Sequence, residues 1–278
     1  SLLKRHGYNT YCVGKWHLTP GEETGMAAWK KRWPLGRGFE RFYGFLGGET
    51  DQYHPDLVHD NHQVEPPRTP EQGYHFSEDM IDHSISFLKD LRATYERKPF
   101  LLYVAPGACH APHQAPASFI EPYRGRFDAG WDRWREQVFA RQISSGLLPK
   151  GTELSERPSW VPSWESLSSD ERRLFARMME VYAGFMTHTD AQIGRLVDFI
   201  EKLGELDDTL VILMSDNGAS AEGGLKGSFN EAFFFNMVPE SLEENLRQID
   251  DLGTPRAHNH YPWGWAWAGN TPLKRFKR

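Results

Sequence analysis

The chain has 278 residues, a formal net charge of −6, 39 % hydrophobic and 25 % charged residues. That is room for one large domain or two small ones at ordinary globular composition, and it excludes wholesale disorder. A pI near 6.1 shows no basic footprint for nucleic acid, and the longest apolar runs, "FLLYVA" and "LVILM", are too short for a membrane span.

In chain order, "SLLKRHGY" reads as the last turns of a helix ending at Gly7. Residues 11–14 follow as a short buried strand that runs into Lys15, Trp16 and His17. From Pro20 to Pro70 the sequence is rich in Gly, Pro, Trp and charge without a sustained period, which predicts mostly loop. Ser77 is placed to cap a helix carrying Met80, Ile81, Ile85, Leu88 and Leu91, which Pro99 ends. "FLLYVA" is then a fully buried strand stopping at Pro106 and Gly107.

Residues 108–168 look irregular apart from a helix near Trp131–Ser144. The clearest helix has Leu174, Met178, Tyr182, Phe185, Thr189, Ile193, Leu196 and Ile200 at three- and four-residue steps, with Gly204 as its stop. "TLVILM" is a buried parallel-type strand leading into "SDNGAS", and a polar connection from Gly223 to Tyr261 holds one short helix near Glu240–Ile249. Strands alternating with helices predict an α/β layered fold. Cys12 and Cys109 are too few for a disulfide framework; a single bond between them and two small buried thiols are both open, the second being preferred. No Asn-x-Ser/Thr sequon occurs. An opening on Ser1 and a close at "NTPLKRFKR" without a cap lead to the expectation of a fragment cut at both ends.

Three strand-like runs end in polar residues: Lys15 and His17, His110 and His113, Asp216 and Asn217. In open α/β sheets ligands bind beyond the carboxyl ends of strands, so these groups can converge. Each piece alone has a plainer reading. Asp-Asn-Gly after a strand is commonly a turn, His-x-x-His commonly two surface imidazoles, and Lys-Trp-His a snorkelling Lys beside a packed Trp.

Five blocks change the weighting: "GYNTYCVGKWHL", "FLLYVAPGACHAPHQAP", "YRGRFDAGWD", "YAGFMTHTDAQIGRLVDFIEKLGELDDTLVILMSDNGAS" and "YPWGWAWAGNTPLKRFK". In this order they resemble the type I, formylglycine-dependent sulfatases, the bacterial arylsulfatase branch above all. The resemblance implies an alkaline-phosphatase-like fold, a mixed and mostly parallel sheet between helices, with residues 1–278 a partial catalytic domain. It implies hydrolysis of a sulfate monoester, with a small-molecule or carbohydrate sulfate ester as substrate.

Residue by residue, Lys15 matches the lysine bridging sulfate and nucleophile, and His17 the histidine that takes a proton from the aldehyde-hydrate nucleophile. His110 matches the histidine beside the leaving-group oxygen, Lys277 a second lysine on the sulfate, and Asp216 and Asn217 two oxygen ligands of a divalent cation, usually Ca2+. His113 falls just outside the core pattern and is expected at the rim or on the substrate side.

The nucleophile motif, Cys- or Ser-x-Pro-x-Arg, is absent from these residues, as are the paired aspartates that complete the family's metal site. Both are expected upstream of Ser1, together with any signal sequence. A formylglycine-generating maturase is implied for the full-length parent, and a periplasmic or secreted location is the family's. The chain by itself is expected to lack turnover and to bind metal weakly.

Two rivals are a phosphodiesterase or phosphonate monoester hydrolase of the same superfamily, and a non-catalytic carbohydrate binder. The second would use Trp29, Trp33, Trp131, Trp134, Trp263, Trp265 and Trp267, although packing of loops against the core is the plainer role for these indoles.

Overall fold

A computed structural model describes residues 2–94 and 97–277. They form two compact units, residues 1–110 with 186–211, and residues 111–185 with 212–278.

The first unit is built on a five-stranded mixed sheet. After a short helix α1 (Leu2–Arg5), β1 (Asn9–Lys15) pairs in parallel with β2 (Arg41–Phe45). Strands β3 (Leu57–His59) and β4 (His62–Val64) add antiparallel beyond β2. On the other side of β1 lies β5 (Phe100–Ala105), again parallel, so the order is β4-β3-β2-β1-β5 and the long ladders are the parallel ones.

Alternation along β1 and β2 sends side chains to opposite faces. Tyr11, Val13, Tyr43 and Phe45 pack against Met80, Ile81, Phe87 and Leu88 of α2 (Phe76–Arg92) and against Leu196 and Ile200. Cys12, Phe42 and Leu46 face Trp16, Trp33 and Val58 on the other side. Burying each of the α2 side chains contributes roughly 1.5–3 kcal/mol, which far outweighs the helix's own propensity. Bidentate pairing of Arg92 with Glu205, at 2.6 and 2.7 Å, closes the end of α2 against the chain after α5.

The second unit holds α3 (Ala117–Ile120), α4 (Gly130–Ser144), residues 169–185 of α5 (Ser169–Lys202), α6 (Glu231–Phe235), α7 (Leu242–Arg247) and α8 (Trp263–Gly269). Its core is aromatic. Trp131 meets Trp164 and Trp265 edge-on at centroid distances of 4.8 and 5.8 Å, and the Trp265 indole N–H donates to the Phe175 carbonyl at 2.8 Å. Gly264 is required here, since a Cβ would enter the Trp131 ring.

The structure corrects several expectations. His75, not Ser77, caps α2: its Nδ1 accepts the Ser77 N–H at 3.2 Å. The 20–70 region hides β2, β3 and β4, which are too short and too Gly-interrupted to show a period. β5 is a strand but an edge one, with Leu101 and Tyr103 exposed. "TLVILM" forms no strand, and Leu210–Met214 are 57–86 % exposed, because no neighbouring strand among the described residues takes up their backbone hydrogen bonds. Both cysteines are free thiols, Cys12 buried and Cys109 half-buried. No helix is long and apolar enough to cross a membrane.

Within the first unit His188, fully buried on α5, has Nε2 3.1 Å from Glu78 Oε1 on α2. That hydrogen bond, outweighing the opposing effect of burial, holds the Glu78 carboxyl below its usual value of 4.5. A carboxyl with a depressed folded pKa stabilises the fold above its unfolded pKa, and the contribution is lost as pH falls through the folded value. Denaturant midpoints of the full-length protein are therefore expected to decline below about pH 4.5, and Glu78→Gln to flatten that decline. An unchanged slope in the variant would remove Glu78 as its source.

Candidate active site

In the first unit the parallel register decides where polar groups collect. β1, β2 and β5 all run the same way, so the residues after Lys15, Phe45 and Ala105 leave the sheet at one edge. Lys15 is the last residue of β1, opposite Phe45. Beyond it Trp16 and His17 extend the pairing, their N–H groups donating to Phe45 and Leu46 carbonyls at 3.0 and 3.2 Å.

His17 itself has φ +51°, a left-handed conformation that costs a non-glycine residue roughly 1 kcal/mol. Strand alternation therefore stops at Lys15 and does not carry on through His17. Gly48 leaves room for the His17 ring: a Cβ there would lie 3.0 Å from both Cε1 and Nε2. Glycine lets the imidazole rest on the backbone that follows β2.

Next to Gly48, Glu49 places Oε2 3.4 Å from Nδ1 of half-buried His110, which follows β5. The carboxylate orients that ring. Gln52 completes the arrangement on the β5 side, since its Nε2 would lie 2.9 Å from a Cβ at Gly107. Three of the expected residues, Lys15, His17 and His110, thus arise at the carboxyl edge of the same sheet. Glu49, Gly48 and Gln52 were not anticipated. Their signal, a Gly-Gly-Glu turn after a strand, is invisible while β2 is read as loop.

The second unit holds Asp216, Asn217 and Lys277. Asn270 links them: its Oδ1 accepts the Ala219 N–H at 3.0 Å, and its Nδ2 donates to the Arg275 carbonyl at 2.9 Å. The Lys277 N–H then donates to the Ala219 carbonyl at 2.9 Å, and its ammonium lies 3.9 Å from Glu222. Packing of Phe276 against Trp160 and Trp263 holds the segment.

Deeper in this unit Arg135 is buried without a carboxylate ion pair among the described residues. Its guanidinium donates to the carbonyls of Trp267, Pro272 and Leu273 and to Ser155 and Thr271, and it stacks 4.4 Å from the Trp267 ring. Burial pushes its pKa down to about 10, still cationic at neutral pH.

Asp216 and Asn217 are exposed, and the Ser215 hydroxyl donates to the Asn217 carbonyl at 2.8 Å. They offer oxygen donors of the hardness calcium prefers, but only two, where calcium takes about six to eight. Among the described residues no group of metal-capable side chains includes Asp216, so the pair does not amount to a calcium shell. A different set in this unit could hold an ion: ligand atoms of Glu222, Glu231 and His260 lie within 4.8 Å of one another, the last two residues buried. His113 is no rim residue. It is buried, its ring 4.8 Å from both His260 and Tyr261. A cavity of about 370 Å³, lined by Leu174, Phe175, Gly224, Lys226, Phe234 and Asn245 among others, contains none of the expected site residues.

Gly14 carries the geometry of the first cluster. With φ +95° it lets β1 press against β5, and a Cβ would overlap the Ala105 carbonyl and approach Met80 Sδ to 2.9 Å. Gly14→Ala is expected to lower stability by about 2–4 kcal/mol, read from denaturant midpoints of the full-length protein. A loss below about 0.5 kcal/mol would show that the strands separate freely here.

Comparison with known proteins fits this architecture. The sulfatase family model matches residues 1–261. An uncharacterized sulfatase of Schizosaccharomyces pombe is 30 % identical over 286 residues, covering 99 % of this chain and 49 % of its own length. An arylsulfatase of Klebsiella aerogenes is 27 % identical over 290 residues, covering 99 % and 57 %. The chain thus spans about half the length of these relatives. Among solved structures, a Bacteroides fragilis protein described as a sulfatase superposes with a TM-score of 0.52 at 20 % identity, over 78 % of this chain and 43 % of that one, which supports the fold. With the family model matching most of its length, the chain belongs to the sulfatase family.

Proposed function

We propose that the protein containing this chain hydrolyses a sulfate monoester to an alcohol or phenol and sulfate, and that residues 1–278 are part of a single catalytic domain. One observation carries the reading: Lys15, His17 and His110, matched to family roles by motif, follow parallel strands of one sheet, and Glu49 sits against His110. Family membership and the likeness to an arylsulfatase over 99 % of the chain support it.

The chemistry follows from charge. A sulfate monoester carries one delocalised negative charge, and its leaving oxygen gains more as the S–O bond breaks. In this reading the Lys15 ammonium binds the sulfate oxygens, holding the ester and stabilising the charge that spreads over them, and Lys277 keeps the sulfate-binding role its motif match implies. His110, oriented by Glu49, delivers a proton to the leaving oxygen, the general-acid role an imidazole commonly fills. His17 accepts the proton of the attacking oxygen.

The family's nucleophile is a formylglycine hydrate made from Cys or Ser in a motif that these 278 residues lack. The residues here therefore supply binding, orientation and proton transfer. Because Asp216 and Asn217 fall short of a cation shell, no step is assigned to a metal.

Steady-state kinetics of the full-length protein on 4-nitrophenyl sulfate and 4-nitrophenyl phosphate test the proposal. Sulfate is expected to be the faster substrate, with His110→Ala and Lys15→Ala each lowering kcat/KM by roughly 10²–10⁴. Residues 1–278 alone are expected to give no turnover. Preference for the phosphate, or full activity in either variant, would overturn the assignment.

A further inference from the structure

Glu222, Glu231 and His260 come from three separate stretches of the second unit, and a ligand atom of each lies within 4.8 Å of the other two. Glu231 and His260 are fully buried and Glu222 half-buried. Two carboxylates brought this close repel unless a proton or a cation lies between them. The group shares no residue with Asp216 and Asn217, and all three members fall outside the five blocks that carry the family resemblance.

Backbone pairing sets two of the three. Ser228 and His260 exchange N–H to carbonyl hydrogen bonds at 3.0 Å in both directions, and the Glu231 N–H donates to the His258 carbonyl at 2.9 Å. The Glu240 carboxylate holds the same short ladder by accepting the Phe229 and Asn230 N–H groups at 2.7 and 2.8 Å. Beside Glu222, the Ala221 carbonyl accepts the Trp263 indole N–H at 2.8 Å, and Glu222 Oε2 accepts the Ser220 hydroxyl at 2.7 Å. Gly223 makes the approach possible: a Cβ there would overlap the Tyr261 carbonyl and lie 2.8 Å from His260 Nδ1.

The imidazole is presented in the form a metal requires. His260 Nδ1 lies 3.1 Å from the Tyr261 carbonyl, which only accepts, so the neutral ring carries its proton on Nδ1 and its lone pair on Nε2. A ligating histidine commonly donates its other N–H to a backbone carbonyl in this way. The rings of His113 and Tyr261, each with its centroid 4.8 Å from that of His260, pack against it.

The donor set selects the ion. Calcium and magnesium prefer oxygen ligands throughout, and the group has no thiolate for copper(I). One imidazole nitrogen with two carboxylates suits a divalent transition metal, and three protein ligands with a fourth position open is a common zinc arrangement. Each ligand has to close by less than about 1 Å to reach zinc bond lengths of about 2.0–2.2 Å.

We propose that Glu222, Glu231 and His260 form a zinc site, separate from the cation site that the family motif implies and independent of the reaction assigned above. Bound zinc fastens the loop after Asn217, the start of α6 and the stretch before α8 to one another. Glu222 Oε1 lies 3.9 Å from the Lys277 ammonium, so the same carboxylate ties the site to the C-terminal stretch.

The experiment uses the full-length protein, stripped with chelator and refilled in excess Ca2+, beside Glu222→Gln, His260→Ala and Asp216→Ala. Metal analysis after dialysis counts bound zinc, and calorimetry measures affinity for Zn2+, Mn2+ and Ca2+. Co2+ in place of zinc gives a visible ligand-field spectrum that reports nitrogen and oxygen ligation.

One zinc per chain is expected, with a Kd below about 1 µM, at least roughly tenfold tighter than Mn2+ and not displaced by Ca2+. Glu222→Gln is expected to weaken zinc binding at least tenfold and His260→Ala to abolish it and the Co2+ spectrum, whereas Asp216→Ala keeps both. Zinc is expected to raise the thermal midpoint of wild type and Asp216→Ala but not of His260→Ala. The site is overturned if no zinc survives dialysis, if Ca2+ displaces it at equal concentration, if Asp216→Ala loses it, or if Glu222→Gln binds like wild type. Glu222 is half-buried, so this last comparison stands even where His260→Ala does not fold.

Discussion

The first unit depends on the close parallel register of β1 between β2 and β5. Parallel strands all finish at the same edge of a sheet, so whatever follows them is delivered to one place without any long-range signal in the sequence. Gly14 makes the approach close enough, pairing with Gly44 on one side and Ala105 on the other. Gly48 then meets the His17 ring, and Glu49 meets His110, because of where three strands stop. Hydrophobic burial on both faces of β1 sets that register: a slip of one residue would exchange Cys12 with Tyr11 and Val13 between two differently shaped cores.

The second unit solves a different problem, ordering an irregular chain around a cation. Arg135 is buried, and its charge is met by backbone carbonyls of Trp267, Pro272 and Leu273 instead of a carboxylate. A guanidinium presents several donors in a fixed plane, so one side chain can bond several carbonyls at once. This orders the stretch after α8, and Asn270 then ties that stretch to Ala219 and Arg275. The position of Lys277 follows from those contacts and from Phe276 lodged between Trp160 and Trp263.

Backbone strain and packing pull against each other at His17. The residue accepts a left-handed backbone that an asparagine or glycine would adopt more easily, and its ring rests on Gly48 where any side chain would crowd it. The strain is small beside the burial of Phe45 and Leu46 on the neighbouring segment. The surrounding core is strong enough to hold that conformation.

Periodicity and motif were enough, by themselves, to determine the long helices, β1, the family and the identity of Lys15, His17, His110, Asp216, Asn217 and Lys277 as the residues to examine. Those signals are local: a helical stripe such as Leu174 to Ile200, or a block such as "GKWHL", is complete within a few turns of chain. Tertiary structure alone decided the rest. It made β2 a central strand although "RFYGF" has no period, left "LVILM" in solvent although it reads as a buried strand, and buried His113 among aromatic rings. It also singled out Trp29 from ten tryptophans as the exposed one. The reason is common to all of these. Strand pairing and burial are properties of a residue's neighbours across the fold, and no short stretch of sequence contains them.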